Sequence, residues 1–251
     1  MKGRTAIITG AARGIGLGTA TCLARKGVNI VIADSNGETA RASADALARE
    51  TGVGTLGVTC DVTQRPQVEA AVEETRKRFG GIDILVNNAG ICAFVEVIEM
   101  SPEVFQRTID VNLTGAFHCT QIAGKAMIEQ GGGGRIVFIT SLAVNVTASA
   151  QADYAASKAG LHMLMKSFAI ALGRHGITCN AVAPGMILTD MTRFHWEQPE
   201  PAAFIRTRVP VGRIGTPEDV GNAVALLCAD EAAYINGVGI IVDGGHQAVC
   251  A

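Results

Sequence analysis

TGAARGIG, residues 9–16, decides the fold. It follows the apolar run AII at 6–8 and places glycines at 10, 14 and 16, where a strand gives way to a helical pattern. At such a junction the chain must turn tightly, and a side chain would block a ligand approaching the backbone. The N–H groups and positive potential of the following helix N-terminus suit a diphosphate there. The spacing is T-G-x-x-x-G-x-G rather than the G-x-G-x-x-G of other dinucleotide turns. Gly10, Arg13, Gly14, Ile15 and Gly16 are therefore expected to touch a dinucleotide.

The pattern outside this turn repeats strand then helix. Strands are expected at Thr5–Thr9, Val28–Ala33, Thr55–Cys60, Ile84–Val86, Arg135–Thr140, Thr178–Val182 and Val238–Val242. Amphipathic helical stretches fall near 15–26, 38–50, 65–79, 102–130, 152–174 and 217–228. Alternation of this kind implies a parallel sheet with helices on both faces. AIIT, VNIVIA and IDILV are apolar throughout, as strands covered on both sides should be. The reading is α/β: one Rossmann-type, doubly wound domain over residues 1–251, with about seven parallel strands. No linker divides the chain, and GGGG at 131–134 reads as a turn. The least regular stretch, 190–209, carries two prolines and the one tryptophan, and is read as a substrate loop.

The second strand ends in Asp34. An acid about 20 residues beyond a glycine turn can hydrogen-bond both ribose hydroxyls of an adenosine and would repel a 2′-phosphate. Asp34 thus favours NAD. Arg13 can reach the same edge and neutralise a 2′-phosphate, which leaves NADP use open.

YAASK at 154–158 puts Tyr154 and Lys158 four residues apart, on one face of a helix. An ammonium near a phenol favours phenolate and is expected to lower its pKa, making Tyr154 a proton donor or acceptor near neutral pH. Ser141 stands just after the strand RIVFIT, NNAG at 87–90 follows IDILV, and Asn112 lies in VNLTG. In a parallel sheet the strand C-termini converge on one crevice, so these groups are expected along one edge.

Taken together, TGAARGIG, NNAG, Ser141 with YAASK, PGMILT at 184–189 and VDGG at 242–245 resemble the short-chain dehydrogenase/reductase family, in its group of about 250 residues. The resemblance covers nearly the whole chain. It implies Tyr154 as general acid/base, Ser141 bonding the substrate oxygen, and Lys158 holding the nicotinamide ribose while depressing the Tyr154 pKa. It implies Asn112 anchoring a proton-relay water. Asp61 and Val62 would flank the adenine, Asn88, Ala89 and Gly90 would run along the cofactor, and Pro184, Gly185, Ile187 and Thr189 would meet its nicotinamide end. Two departures stand out: Thr140 where a second serine often precedes the catalytic one, and Asn236 where many relatives have threonine.

Substrate positions are expected at Cys92, Ser141, Ala143, Asn145, Gln151, Tyr154, Gly185 and Met186, and in the loop at Arg193, His195, Trp196 and Glu197. Amides and polar groups beside an aromatic plane suit a sugar or polyol. The alternatives are a 3-oxoacyl-thioester reductase, a dehydrogenase of small diols or hydroxy acids, and a non-enzymatic dinucleotide sensor, which would not need Ser141, Tyr154 and Lys158 together.

Bulk properties agree. The 251 residues are 48 % hydrophobic and 18 % charged with a net charge of −2. That describes a well-packed chain with no electrostatic footprint for nucleic acid. No membrane span or signal peptide is read. Seven widely spaced cysteines without a C-x-x-C pair point to reduced thiols in a cytoplasmic setting. Five scattered histidines carry no metal spacing. Helices 102–130 and 152–174 are apolar on more than one side, which with the family resemblance implies a homotetramer.

Overall fold

The computed structural model describes residues 1–193, 205 and 207–250. Within them a seven-stranded sheet runs in the order β3-β2-β1-β4-β5-β6-β7, every neighbouring pair parallel. The strands are β1 (Thr5–Thr9), β2 (Asn29–Asp34), β3 (Thr55–Thr59), β4 (Ile84–Asn87), β5 (Gly134–Ile139), β6 (Ile177–Pro184) and β7 (Gly239–Val242). All seven expected strands are present, within two residues at each end. Order reverses between β1 and β4, so a crevice opens beyond their C-terminal ends.

Helices cover both faces. One face carries α1 (Gly14–Ala24), α2 (Gly37–Thr51) and α7 (Pro217–Cys228); the other carries α3 (Arg65–Phe79), α5 (Gly115–Gln130) and α6 (Ala152–Gly173). Each face has its own core: Ile8, Leu23, Ile30, Ile32 and Val224 on the first, Phe138, Met127, Leu161 and Met165 on the second. The central strands alternate between the two cores, which is why their sequences are apolar without a break. Local chemistry sets the helix ends. The Asn36 side chain accepts from Thr39 N–H at the start of α2, and Gly52 ends that helix with φ 73°. Thr216 and Asp219 form a capping box around α7, with Pro217 at its first position.

The single helix expected over 102–130 is broken. It consists of α4 (Pro102–Ile109), a π turn at Asp110–Thr114, and α5. Every residue in the break is compatible with a helix, so apolar periodicity carries no sign of the wider turn. A short α8 (His246–Cys250) follows β7. Asn236, the departure from the family pattern, fastens the far end of the sheet: its amide accepts from Cys179 N–H and donates to Ala169 O of α6, at 2.9 and 3.0 Å.

Candidate active site

The glycine turn and the NNAG segment are tied to each other. Thr9, buried at the end of β1, accepts hydrogen bonds through its hydroxyl from the N–H groups of Asn88 and Ala89, at 3.0 and 3.1 Å. The Asn88 amide donates to the carbonyls of Thr9 and Gly10, both at 2.9 Å. A Cβ on Gly10 would stand 2.8 Å from Ala89 Cα, and the φ there is +61°, so only glycine fits. Asn88 was expected along the cofactor. Its side chain bonds the backbone of the glycine turn, and Thr9, absent from the expected set, ties the two segments together.

Asp34 closes β2 with both oxygens anchored: Oδ2 accepts from Ala12 N–H and Oδ1 from Asn36 N–H, each at 3.1 Å. The carboxylate therefore sits against the glycine turn, with Arg13 exposed beside it. Asp61 Oδ1 accepts from the Thr63 N–H and hydroxyl. Val62 is buried against Gly115 at the head of α5. Beyond β6, Gly185 N–H donates to Val242 O, and Ile187 turns its side chain into the core and bridges to Gly215. Thr189 faces the glycine turn, 3.8 Å from where a Gly14 Cβ would be. Gly10, Gly14, Ile15, Gly16 and Asp34 thus lie on one side of the crevice, and Pro184, Gly185, Met186 and Thr189 on the other.

The candidate reacting groups meet at the C-terminal end of β5. Ser141 begins the turn after β5, its hydroxyl accepting from Ala143 N–H at 3.1 Å, and it lies near enough to the Tyr154 phenol to pull its pKa down. Lys158, one turn further along α6, is only 3 % exposed. Its ammonium lies 5.5 Å from the Tyr154 ring centroid and donates to Ile139 O at 2.8 Å. Gly90 faces this pair: a Cβ there would lie 3.3 Å from Lys158 Nζ and 3.4 Å from Asn112 Oδ1. Asn112 sits in the π turn, fully buried. Its Oδ1 accepts from Ile91 N–H, and its amide donates to Ile91 O and to Ser157 Oγ. Both amide protons are committed, so a water held by this residue would have to donate to Oδ1 or use its main chain.

The electrostatics correct one expectation. Burial pushes the Tyr154 phenol up to about 12, against a smaller downward pull from the Ser141 hydroxyl. The neighbouring ammonium does not outweigh burial. Burial also pushes Lys158 down to about 8. Cys92 lies close enough to raise the phenol further, and its own thiol is raised by burial.

Of the substrate positions, Cys92, Ala143, Asn145, Gln151 and Met186 lie in segments flanking this edge, half-buried or exposed. His195, Trp196 and Glu197 lie outside the described residues. Gln247 of α8 was missed: its Oε1 accepts from the Asn145 amide at 3.2 Å. The two are 102 positions apart, and no local pattern joins them.

The space suits a dinucleotide. It is walled by glycine positions a Cβ would fill, backed by a helix N-terminus, and flanked by the Asp34 carboxylate at one end and by half-buried Tyr154 beside buried Lys158 at the other. Fold and site together define a nicotinamide-dependent oxidoreductase. Comparison with known proteins agrees. Residues 10–247 match the family model described as Enoyl-(Acyl carrier protein) reductase. The L-rhamnose 1-dehydrogenase (NAD(P)(+)) of Azotobacter vinelandii is 41 % identical over 245 residues, covering 96 % of each chain. The 3-oxoacyl-(acyl-carrier-protein) reductase of Escherichia coli is 39 % identical over 248 residues, covering 99 % of each. A crystal structure of a Burkholderia cenocepacia gluconate 5-dehydrogenase, in complex with NADP and tartrate, superposes with a TM-score of 0.93 at 35 % identity, covering 99 % of this chain and 96 % of that one. The chain belongs to the short-chain dehydrogenase/reductase family, whose members use NAD(P).

Among the described residues, no helix is long and apolar enough to cross a membrane. No group of three or more His, Cys, Asp or Glu among them is arranged to hold a metal.

Proposed function

We propose that this protein is a sugar or polyol dehydrogenase that oxidises a CH–OH group to a carbonyl, with NAD preferred over NADP. The carrying observation is Ser141 beside the Tyr154 phenol, with the buried Lys158 ammonium 5.5 Å from the Tyr154 ring, on the edge that also holds the glycine turn and Asp34. Bound nicotinamide supplies the hydride acceptor. Gly10, Arg13, Gly14, Ile15 and Gly16 would hold the diphosphate, Asp34 the adenosine ribose, and Asp61 and Val62 the adenine. Asn88, Ala89, Gly90, Pro184, Gly185, Ile187 and Thr189 would line the path to the reacting end. Ser141 would bond the substrate oxygen, Tyr154 as phenolate would accept its proton, and Lys158 would hold the nicotinamide ribose. Asn112 would anchor the water through which that proton leaves. The buried, strongly basic phenol makes alcohol oxidation favour alkaline pH.

The sugar or polyol assignment is supported by the Asn145, Gln151 and Gln247 amides, by the relative named for L-rhamnose, and by the neighbour named for gluconate. Cys92 and Met186 would supply apolar contacts, and the 190–209 segment, with Trp196, would add to the substrate side of the single nucleotide-binding domain. The similarity to a 3-oxoacyl-(acyl-carrier-protein) reductase favours a second reading, reduction of a 3-oxoacyl thioester. We further propose a homotetramer, supported by Phe105, Phe117, Ile128, Met163 and Ile170 exposed along α4, α5 and α6. A cytoplasmic setting is supported by the free Cys22, Cys60, Cys119, Cys179 and Cys228, all buried as thiols; cell fractionation tests it.

Nicotinamide absorbance at 340 nm, followed over aldoses, alditols, simple alcohols and a 3-oxoacyl thioester with each cofactor, decides among these. Sugars with NAD should react best, and Tyr154→Phe should lose at least a hundredfold in kcat while binding NAD normally. Full activity in that variant would refute the assigned chemistry, and a thioester with NADP as best pair would refute the substrate reading.

A further inference from the structure

The segment after β7 returns to the catalytic edge. Asp243 holds it: Oδ1 accepts from Gly245 N–H and Oδ2 from Gln247 N–H, at 2.8 and 2.7 Å. The Asp243 Cβ packs so closely on Gly185 that a Cβ on that glycine would stand 2.5 Å away. Val211 N–H donates to Gly244 O, and Pro210 packs over Gly245. The first turn of α8 is thus wedged between the segment leaving β6 and the residues around 209–211. From there Gln247 meets Asn145, the residue that ends the short turn begun by Ser141.

This contact orients two amides and leaves most of their hydrogen-bonding capacity unused. The bond takes one Asn145 Nδ2 proton and one Gln247 Oε1 lone pair. Among the described residues, Asn145 Oδ1, the second Nδ2 proton and both Nε2 protons of Gln247 have no protein partner. An acceptor therefore stands beside several donors, four residues along the chain from Ser141, the serine beside the Tyr154 phenol. A hydroxyl both donates and accepts, so two neighbouring hydroxyls complement this pair, whereas a hydrocarbon would leave it unpaired.

We infer that Gln247 and Asn145 form a specificity clamp for hydroxyl groups flanking the reacting carbon, so that the end of the described chain sets the preference for hydroxyl-rich substrates. The inference rests on the sugar or polyol reading and goes further in naming the residues that select it. Neither residue handles the transferred proton, so their loss should weaken recognition and leave proton handling in place. A site built to bond a substrate hydroxyl discriminates against analogues that lack it.

The test compares kcat/KM for L-rhamnose, or the best aldose or alditol found, with that for cyclohexanol, in wild type, Gln247→Leu and Asn145→Leu. Each variant should lower the sugar-to-cyclohexanol ratio about tenfold, mostly through a raised KM for the sugar, with NAD affinity unchanged. The double variant should lose no more than about the larger single loss, because the amides act as a pair. Folding is checked by thermal unfolding, and Gln247→Glu, which keeps an acceptor for Asn145, should retain more of the ratio than Gln247→Leu. If the wild type oxidises sugars and both leucine variants hold the ratio within twofold, the clamp is refuted while the substrate reading stands. If the wild type ignores every sugar and polyol, both fall.

Discussion

Replacing Lys158 with methionine should produce a more stable and nearly inactive protein. Lys158 is 3 % exposed, and the one hydrogen bond of its ammonium among the described residues goes to Ile139 O. Burial lowers its pKa from 10.5 to about 8. At ~1.4 kcal/mol for each tenfold change, keeping it charged below pH 8 costs the folded state about 3 kcal/mol. Methionine fills similar space without a charge but leaves Ile139 O without that donor, a loss of about 1–2 kcal/mol. The net gain near pH 7 is then about 1–2 kcal/mol, or a rise of roughly 2–8 °C in Tm. Between about pH 8 and 10.5 the unfolded chain still holds the proton that the folded one has released. Wild-type stability therefore climbs with pH across that window, and the advantage of Lys158→Met should vanish by about pH 10. Circular-dichroism melts at pH 7 and pH 10, beside turnover assays at 340 nm, measure both sides. A variant that melts below wild type at pH 7, or whose advantage is equal at the two pH values, would refute the desolvation argument.

Thr108 donates to Asp153 Oδ2 at 2.6 Å, both residues are buried, and Asp153 Oδ1 has no partner among the described residues. Thr108→Val should cost about 3 kcal/mol by urea unfolding, and adding Asp153→Ala should recover much of that loss by removing the stranded carboxylate; equal stability of the single and double variants would count against it. Light scattering should show four chains per particle, and a stable monomer would leave the exposed apolar faces of α4, α5 and α6 unexplained.

The strands were legible because a sheet covered on both faces demands unbroken apolar runs, and IVIA or RIVFI has no alternative use. Tyr154, Ser141 and Lys158 were legible because two of them share a helix face and the third begins the turn after a strand. What could not be read is what depends on distant partners. The π turn at Asp110–Thr114 is written in residues that suit an ordinary helix. The bonds from the Asn88 amide to the glycine turn could not be read, because its carbonyl partners lie 78 and 79 positions away. Gln247 carries no local signal at all. The phenol was misjudged because spacing reports the nearby ammonium but not the loss of water around both groups.

The Thr9–Asn88 tie has a consequence for ligand entry. It closes during folding and uses only protein atoms, so the two walls at the switch point take up their mutual spacing before any guest arrives. Association there should proceed with little rearrangement of the receiving surface, and heat released on mixing should report new contacts rather than a reshaped host.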